Sequence, residues 1–197
     1  MLSLFIFSLL SLYCVDGNTN SLPKTFNQRA KPLAIGAASV LALGAFKIVA
    51  DGPTFQELVD MNDKIVAITG GNSGLGKEAA IKLASLGAQV FILSRPSKKT
   101  DDALKEIAQA SGSTKVDAIP LDLTDLSSVK ACAAGLSAKV AKIDVLMNNA
   151  GVMAVPTREV TKDGFELQLG TNHLGHFLLT NELMSLLKKS PNARLVI

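Results

Sequence analysis

Residues 61–197 predict an α/β fold, a doubly wound parallel sheet, and three observations carry that expectation. Short apolar runs alternate with stretches whose apolar residues keep helical spacing. The first run breaks into a glycine-rich turn, Thr69-Gly70-Gly71-Asn72-Ser73-Gly74-Leu75-Gly76, and a helix pattern follows at once. Each distinctive polar motif then falls where an apolar run ends, the place at which open sheets of this kind bind ligands. Parallel neighbours need right-handed crossovers, and the helical stretches between the runs are long enough to supply them.

Asn62-Asp63 is a turn signal that opens the periodic part. Ile65, Val66 and Ile68 form a run too short for an ordinary helix, as in a strand buried on both faces. Leu75, Ala79, Ala80, Leu83, Ala84 and Leu86 follow helical spacing and stop at Gly87, a glycine suited to the residue after a helix end. Residues 89–93 read as a second strand, and residues 101–110 as a helix closed by Ser111-Gly112, with Leu104, Ile107 and Ala108 on one face. Residues 116–123 read as a third strand. Thr124 or Asp125 caps the next helix, whose apolar face uses Val129, Cys132, Ala133, Leu136 and Val140. Residues 143–147 read as a fourth strand. A loop containing Pro156 leads to one long helix over about residues 164–189, and residues 194–197 begin a fifth strand.

The glycine-rich turn has a chemical task. Gly70 takes the tight exit from the strand, Gly74 lets backbone N–H groups approach a ligand, and Gly76 lets the next helix pack against the strand. The start of that helix, with Asn72, Ser73 and Leu75, offers unpaired N–H groups and a positive dipole end to a pyrophosphate. An ordinary strand-to-helix loop would use the same glycines.

The second run ends in Leu93-Ser94-Arg95, where a sheet selecting NAD places an acid for the ribose hydroxyls. Arg95, helped by Lys98 or Lys99, suits a 2′-phosphate, so the expected cofactor is NADP(H); the alternative is a solvated arginine. Asp122, followed by Leu123, suits the adenine amino group or else a turn. In Asn148-Asn149-Ala150-Gly151 two amides can hold neighbouring strands while Ala150 and Gly151 let a flat ligand lie on the backbone; the other reading is an Asn-rich turn. His173 and His176 stand at i, i+3 with no third ligand, so no metal site is expected. Met147, Met153 and Met184 read as core or pocket filler, and Cys132 as a small buried apolar residue.

Taken together, the Thr69–Gly76 turn, Asp122, Asn148-Asn149-Ala150-Gly151 and Asn172 resemble the short-chain dehydrogenase/reductase family from about residue 64 to residue 197. The run Thr171-Asn172-His173-Leu174-Gly175-His176-Phe177-Leu178-Leu179 is similar to the branch holding retinol dehydrogenases, membrane-linked reductases and light-dependent protochlorophyllide reductases. The Asn148–Gly151 motif favours the retinol dehydrogenase side. The resemblance implies a Rossmann-type sheet and hydride transfer between the nicotinamide of NADP(H) and an alcohol or carbonyl of a small lipophilic substrate. It further implies membrane association and a homodimer. For Asn172 it implies a catalytic part, holding a water that links the family's lysine to solvent.

The family's serine and Tyr-x-x-x-Lys motif have no counterpart here. The one tyrosine is Tyr13, Ser190 precedes the fifth strand where the family's serine follows it, and the sequence ends at Ile197. The expectation is an incomplete Rossmann domain over 61–197, truncated in the fifth strand and inactive alone. The alternative is a non-catalytic nucleotide-binding or scaffold protein.

Residues 1–17 resemble a signal peptide, an apolar stretch followed by Val15-Asp16-Gly17, or else an uncleaved anchor. Residues 18–31, polar, basic and free of acids, read as a transit-like segment or a linker. Residues 32–50 are a second apolar segment, a membrane anchor or a helix packed on the domain. These segments point to a membrane-associated protein of the secretory route or an organelle, the endoplasmic reticulum or a plastid. The net charge of +3 lies entirely in residues 1–50, where Lys24, Arg29, Lys31 and Lys47 face only Asp16. The remainder balances, 16 basic against 16 acidic residues, which argues against a nucleic-acid surface. Two cysteines set no disulfide framework, and no Asn-x-Ser/Thr sequon occurs.

Overall fold

The computed structural model describes residues 59–197, so the segments 1–17, 18–31 and 32–50 lie outside the described residues. Five strands, β1 (Ile65–Thr69), β2 (Gln89–Ser94), β3 (Val116–Pro120), β4 (Val145–Met147) and β5 (Arg194–Val196), form one sheet. All neighbours are parallel and the order is β3-β2-β1-β4-β5. The helices are α1 (Gly74–Ser85), α2 (Lys98–Ser111), α3 (Leu126–Lys139) and α4 (His176–Leu187), the last preceded by a π-helical segment, Leu169–Gly175. This is the Rossmann-type doubly wound α/β architecture that the alternating pattern predicts.

Successive residues of β1 serve opposite faces of the sheet. Val66 and Ile68 pack with Ala80 and Ala84 of α1 and Ile107 of α2. Ala67 packs with Val129, Cys132 and Leu136 of α3 and with Leu179 and Leu183 of α4. Both faces are covered, which explains why β1 reads as a continuous apolar run. Cys132 is buried, and burial pushes its thiol up to about 12. Met153, expected as filler, is exposed instead.

Several boundaries shift for local reasons. Helix α2 starts at Lys98, ahead of the expected 101, because Ser97 caps it by accepting from the Thr100 N–H. Asp125, not Thr124, caps α3, accepting from the N–H groups of Ser127 and Ser128. β3 ends at Pro120 and β4 begins at Val145, both shorter than expected. The single long helix over 164–189 is not formed. Its first part is a turn in which Gly164 has φ +84° and the Glu166 carboxylate accepts from the N–H groups of Gln168 and Leu169. The π-helical segment follows, so Asn172 sits in an irregular turn and not in regular α-helix.

A buried carboxylate ties the N-terminal ends of the strands. Asp144, 3 % exposed, accepts from the Ile65 N–H at 2.9 Å, the Ser190 hydroxyl at 2.6 Å and the Lys142 ammonium at 3.0 Å. Its main chain adds bonds to Ile65 O and from Arg194 N. Burial alone would raise its pKa, but the Ser190, Ile65 and Lys142 bonds outweigh that and hold it below the usual carboxylate range. Ser190 is thereby committed to the sheet edge remote from the glycine-rich turn. Asp144→Ala should lower the free energy of unfolding by about 3 kcal/mol, and Ser190→Ala by about 1 kcal/mol, in urea denaturation.

Candidate functional site

The C-terminal ends of β1, β2, β3 and β4 enclose an open cleft of about 720 Å³. Of the residues the sequence singles out, Gly70, Asn72, Ser73, Leu75, Arg95, Asp122, Leu123, Asn149, Ala150 and Gly151 line it. Gly74 lines a smaller cavity of about 440 Å³ that shares Asn72, Ser73 and Lys99 with the cleft. Gly76 and Asn172 line neither.

The turn is shaped by two glycines in different ways. Gly74 has φ +53° and nothing within 4 Å of where a Cβ would stand, so its backbone is bare toward a ligand. At Gly76 a Cβ would lie 2.5 Å from Asn149 Nδ2 and 2.7 Å from Gly70 O, so this glycine admits the turn and Asn149, not the strand as expected. Ser73 begins α1 without making a side-chain cap bond, and the first turn carries no acid. The helix start thus presents N–H groups and its positive dipole end uncompensated by a side chain. Asn72 is anchored sideways, donating to Thr100 Oγ1 at 3.0 Å.

The walls combine charge with fixed turns. Arg95 is exposed at the rim of the cleft, with Lys99 beside it on the lining, whereas Lys98 is paired with Asp102. Asp122 uses Oδ1 to accept from both the N–H and the hydroxyl of Thr124, which leaves Oδ2 for any other donor. Asn149 donates to Thr69 O at 3.0 Å, joining the ends of β4 and β1 as two strand-holding amides would. Asn148 instead reaches α4, donating to Thr180 Oγ1 at 3.1 Å.

Asn172 bonds the backbone of a neighbouring loop through both side-chain atoms. Its Oδ1 accepts from the Val152 N–H and its Nδ2 donates to Val152 O, both at 2.8 Å. The two histidines diverge. His173 is exposed with its ring 6.4 Å from that of Phe177, while His176 is buried with Nδ1 2.9 Å from Asn172 O and Nε2 2.9 Å from Thr69 Oγ1. Thr69 Oγ1 also accepts from the Ala150 N–H at 2.9 Å.

Thr69, Thr100 and His176 are site-shaping residues to which sequence reasoning gave no such role. Thr69 and Thr100 are buried polar side chains at a strand end and a helix start, a signal legible only once burial is known. His176 was weighed as a metal ligand and counted within the Thr171–Leu179 run, with no link to Thr69.

Burial pushes the His176 imidazole below its ordinary value, against the smaller opposite pull of the Asn172 carbonyl. A folded pKa below the unfolded one means that the unfolded chain binds the proton more readily. The neutral histidine's contribution is complete above about pH 6.5 and is lost as pH falls from there through the folded pKa. Urea midpoints measured from about pH 7.5 to about pH 5 should therefore fall more steeply for the wild type than for His176→Gln, which does not titrate.

Comparison with known proteins agrees with this geometry. The family model described as short chain dehydrogenase matches residues 64–197. Human retinol dehydrogenase 12 is 47% identical over 138 residues, covering 70% of this chain and 43% of that protein. Human retinol dehydrogenase 14 is 40% identical over 183 residues, covering 83% and 53%. The chain thus spans about half the length of these relatives, or less. Among solved structures, the Pseudomonas aeruginosa RhlG/NADP active-site complex superposes with a TM-score of 0.60 at 28% identity, over 72% of this chain and 56% of that one. An Escherichia coli oxidoreductase, yciK, gives 0.61 at 27% identity, over 72% and 59%. The matched model spans most of the chain and the strand-end motifs converge on one cleft: the chain belongs to the short-chain dehydrogenase family.

Proposed function

We propose that the protein works as an NADP(H)-dependent oxidoreductase, transferring hydride between the nicotinamide and an alcohol or carbonyl of a lipophilic substrate. The observation that carries the reading is the position of Arg95, at the end of β2 on the rim of the cleft, where its guanidinium and the Lys99 ammonium suit a 2′-phosphate. The groups along the cleft and the smaller cavity beside it fit the rest of such a cofactor. The bare Gly74 backbone and the uncapped start of α1 suit the pyrophosphate, Asp122 Oδ2 suits the adenine amino group, and Ala150-Gly151 offers a flat backbone to the nicotinamide ribose side. When bound, the cofactor supplies the hydride.

The chain's own residues bind, orient and exclude. Thr69 and Asn149 fix the cleft floor, and Asn172 holds Val152 beside it. The retinol dehydrogenase relatives and the NADP complex named above support the substrate class and the cofactor. Membrane association through residues 32–50 fits a lipophilic substrate. Among the described residues no helix is long and apolar enough to cross a membrane.

The second reading is nucleotide binding without turnover. Turnover of a retinoid alcohol or aldehyde by the 197-residue chain separates the two readings. Binding is tested independently of it. The fluorescence of NADPH should report saturable binding, and Arg95→Asp should weaken NADPH roughly tenfold or more while improving NADH. An unchanged ratio of the two affinities would remove Arg95 from the 2′-phosphate site.

A further inference from the structure

We propose that His176 is a positioning residue for nucleotide binding, acting through the Thr69 hydroxyl to fix the Ala150 backbone at the cleft floor. The inference rests on the NADP(H) function proposed above. It follows from the direction in which each hydrogen bond must run. Asn172 O can only accept, so Nδ1 carries the hydrogen and donates to it at 2.9 Å. Burial disfavours the charged ring, and in the neutral ring with its hydrogen on Nδ1 the Nε2 is an acceptor, so the Thr69 hydroxyl donates to Nε2 at 2.9 Å. The other acceptor in reach of that hydroxyl, Met147 O, lies at 3.4 Å, long for an O–H···O bond. With its hydrogen committed to His176, Thr69 Oγ1 accepts from the Ala150 N–H at 2.9 Å.

The result is a one-way chain, Ala150 to Thr69 to His176 to Asn172, in which each bond polarises the next. Its last member closes the loop on the segment where it began, because the Asn172 carboxamide clasps Val152 through both N–H and C=O. Ala150 and Val152 are thus held from both ends, with Gly151 between them so close to Asn172 that a Cβ there would lie 3.3 Å from Oδ1. Lowering of the imidazole pKa by burial keeps the accepting tautomer in place at neutral pH.

The two ring nitrogens can be replaced separately, which separates positioning from simple structural support. Glutamine places an acceptor near the Nε2 position, facing Thr69, whereas asparagine places its amide near Nδ1, facing Asn172. Equilibrium NADPH binding by the full chain, read from the nucleotide's own fluorescence, should weaken about tenfold in His176→Phe and His176→Asn and less than about twofold in His176→Gln. In a Thr69→Val background, His176→Asn should add no further loss. Should His176→Phe not fold, Thr69→Ser, which keeps the hydroxyl, against Thr69→Val carries the same contrast. Wild-type affinity in His176→Asn, loss in His176→Gln equal to that in His176→Phe, or additive losses in the double variant would overturn the assignment while leaving the proposed function standing. A wild-type chain that binds no NADPH overturns both.

Discussion

The Thr69 hydroxyl, fully buried at the C-terminal end of the central strand, accepts from Ala150 and meets His176. The Thr69 carbonyl takes the Asn149 amide, and the next residue, Gly70, donates to Leu93 O on β2. The ends of β2 and β4 and the start of α4 are therefore positioned against two successive residues, Thr69 and Gly70. A valine has nearly the same shape and would satisfy the packing. It would leave the part-buried Ala150 N–H and a buried imidazole nitrogen without partners, the latter costing about 1–3 kcal/mol. The polar link, not the volume, makes the site a defined surface.

Topology decides where that surface lies. The chain builds outward from β1 through β2 to β3 and then returns across the sheet to β4, so the crossovers diverge between β1 and β4. The glycine-rich turn stands on one side of this divide and Asn149-Ala150-Gly151 on the other. Charge is distributed in the same way. The positive groups, Arg95 and Lys99, belong to the β2–α2 side, while the neutral amides belong to the β4 side. An elongated anionic ligand with one flat end fits that polarity better than a compact one.

Local rules made much of this legible. The β1 run, Gly87 after α1, Gly112 at the end of α2 and the Asp125 cap depend on residues within a turn of one another, and all are readable from neighbours. The converging strand-end motifs were readable for the same reason, since each sits beside its own strand. What escaped is long-range or irregular. Asp144 takes its importance from Ile65, 79 residues away, and from Ser190, 46 residues away. His176 takes its importance from Thr69, 107 residues away, and spacing alone offered only the metal reading. The π-helical turn keeps apolar residues near helical spacing, so periodicity merged it with α4 into one helix. Asn172 was singled out in the sequence, but its partner, Val152, lies in a loop with no pattern of its own.

The central position of β1 has a consequence for the order in which the site is assembled. β1 meets β2 through a short crossover, with Ile65 beside Gln89, whereas its other neighbour, β4, begins only at Val145. Closing the longer loop costs more chain entropy, and contacts of that separation form late. The glycine-rich turn, with α1, β2 and α2 around it, is a local unit that can condense first. The opposite floor, held by Asn149 and Ala150 across 80 and 81 residues, joins afterwards. Until it does, Thr69 exposes a hydroxyl and a carbonyl with no partners, and the half-built sheet presents an open parallel edge. The contacts that complete the cleft are thus the same ones that cover the β1 edge.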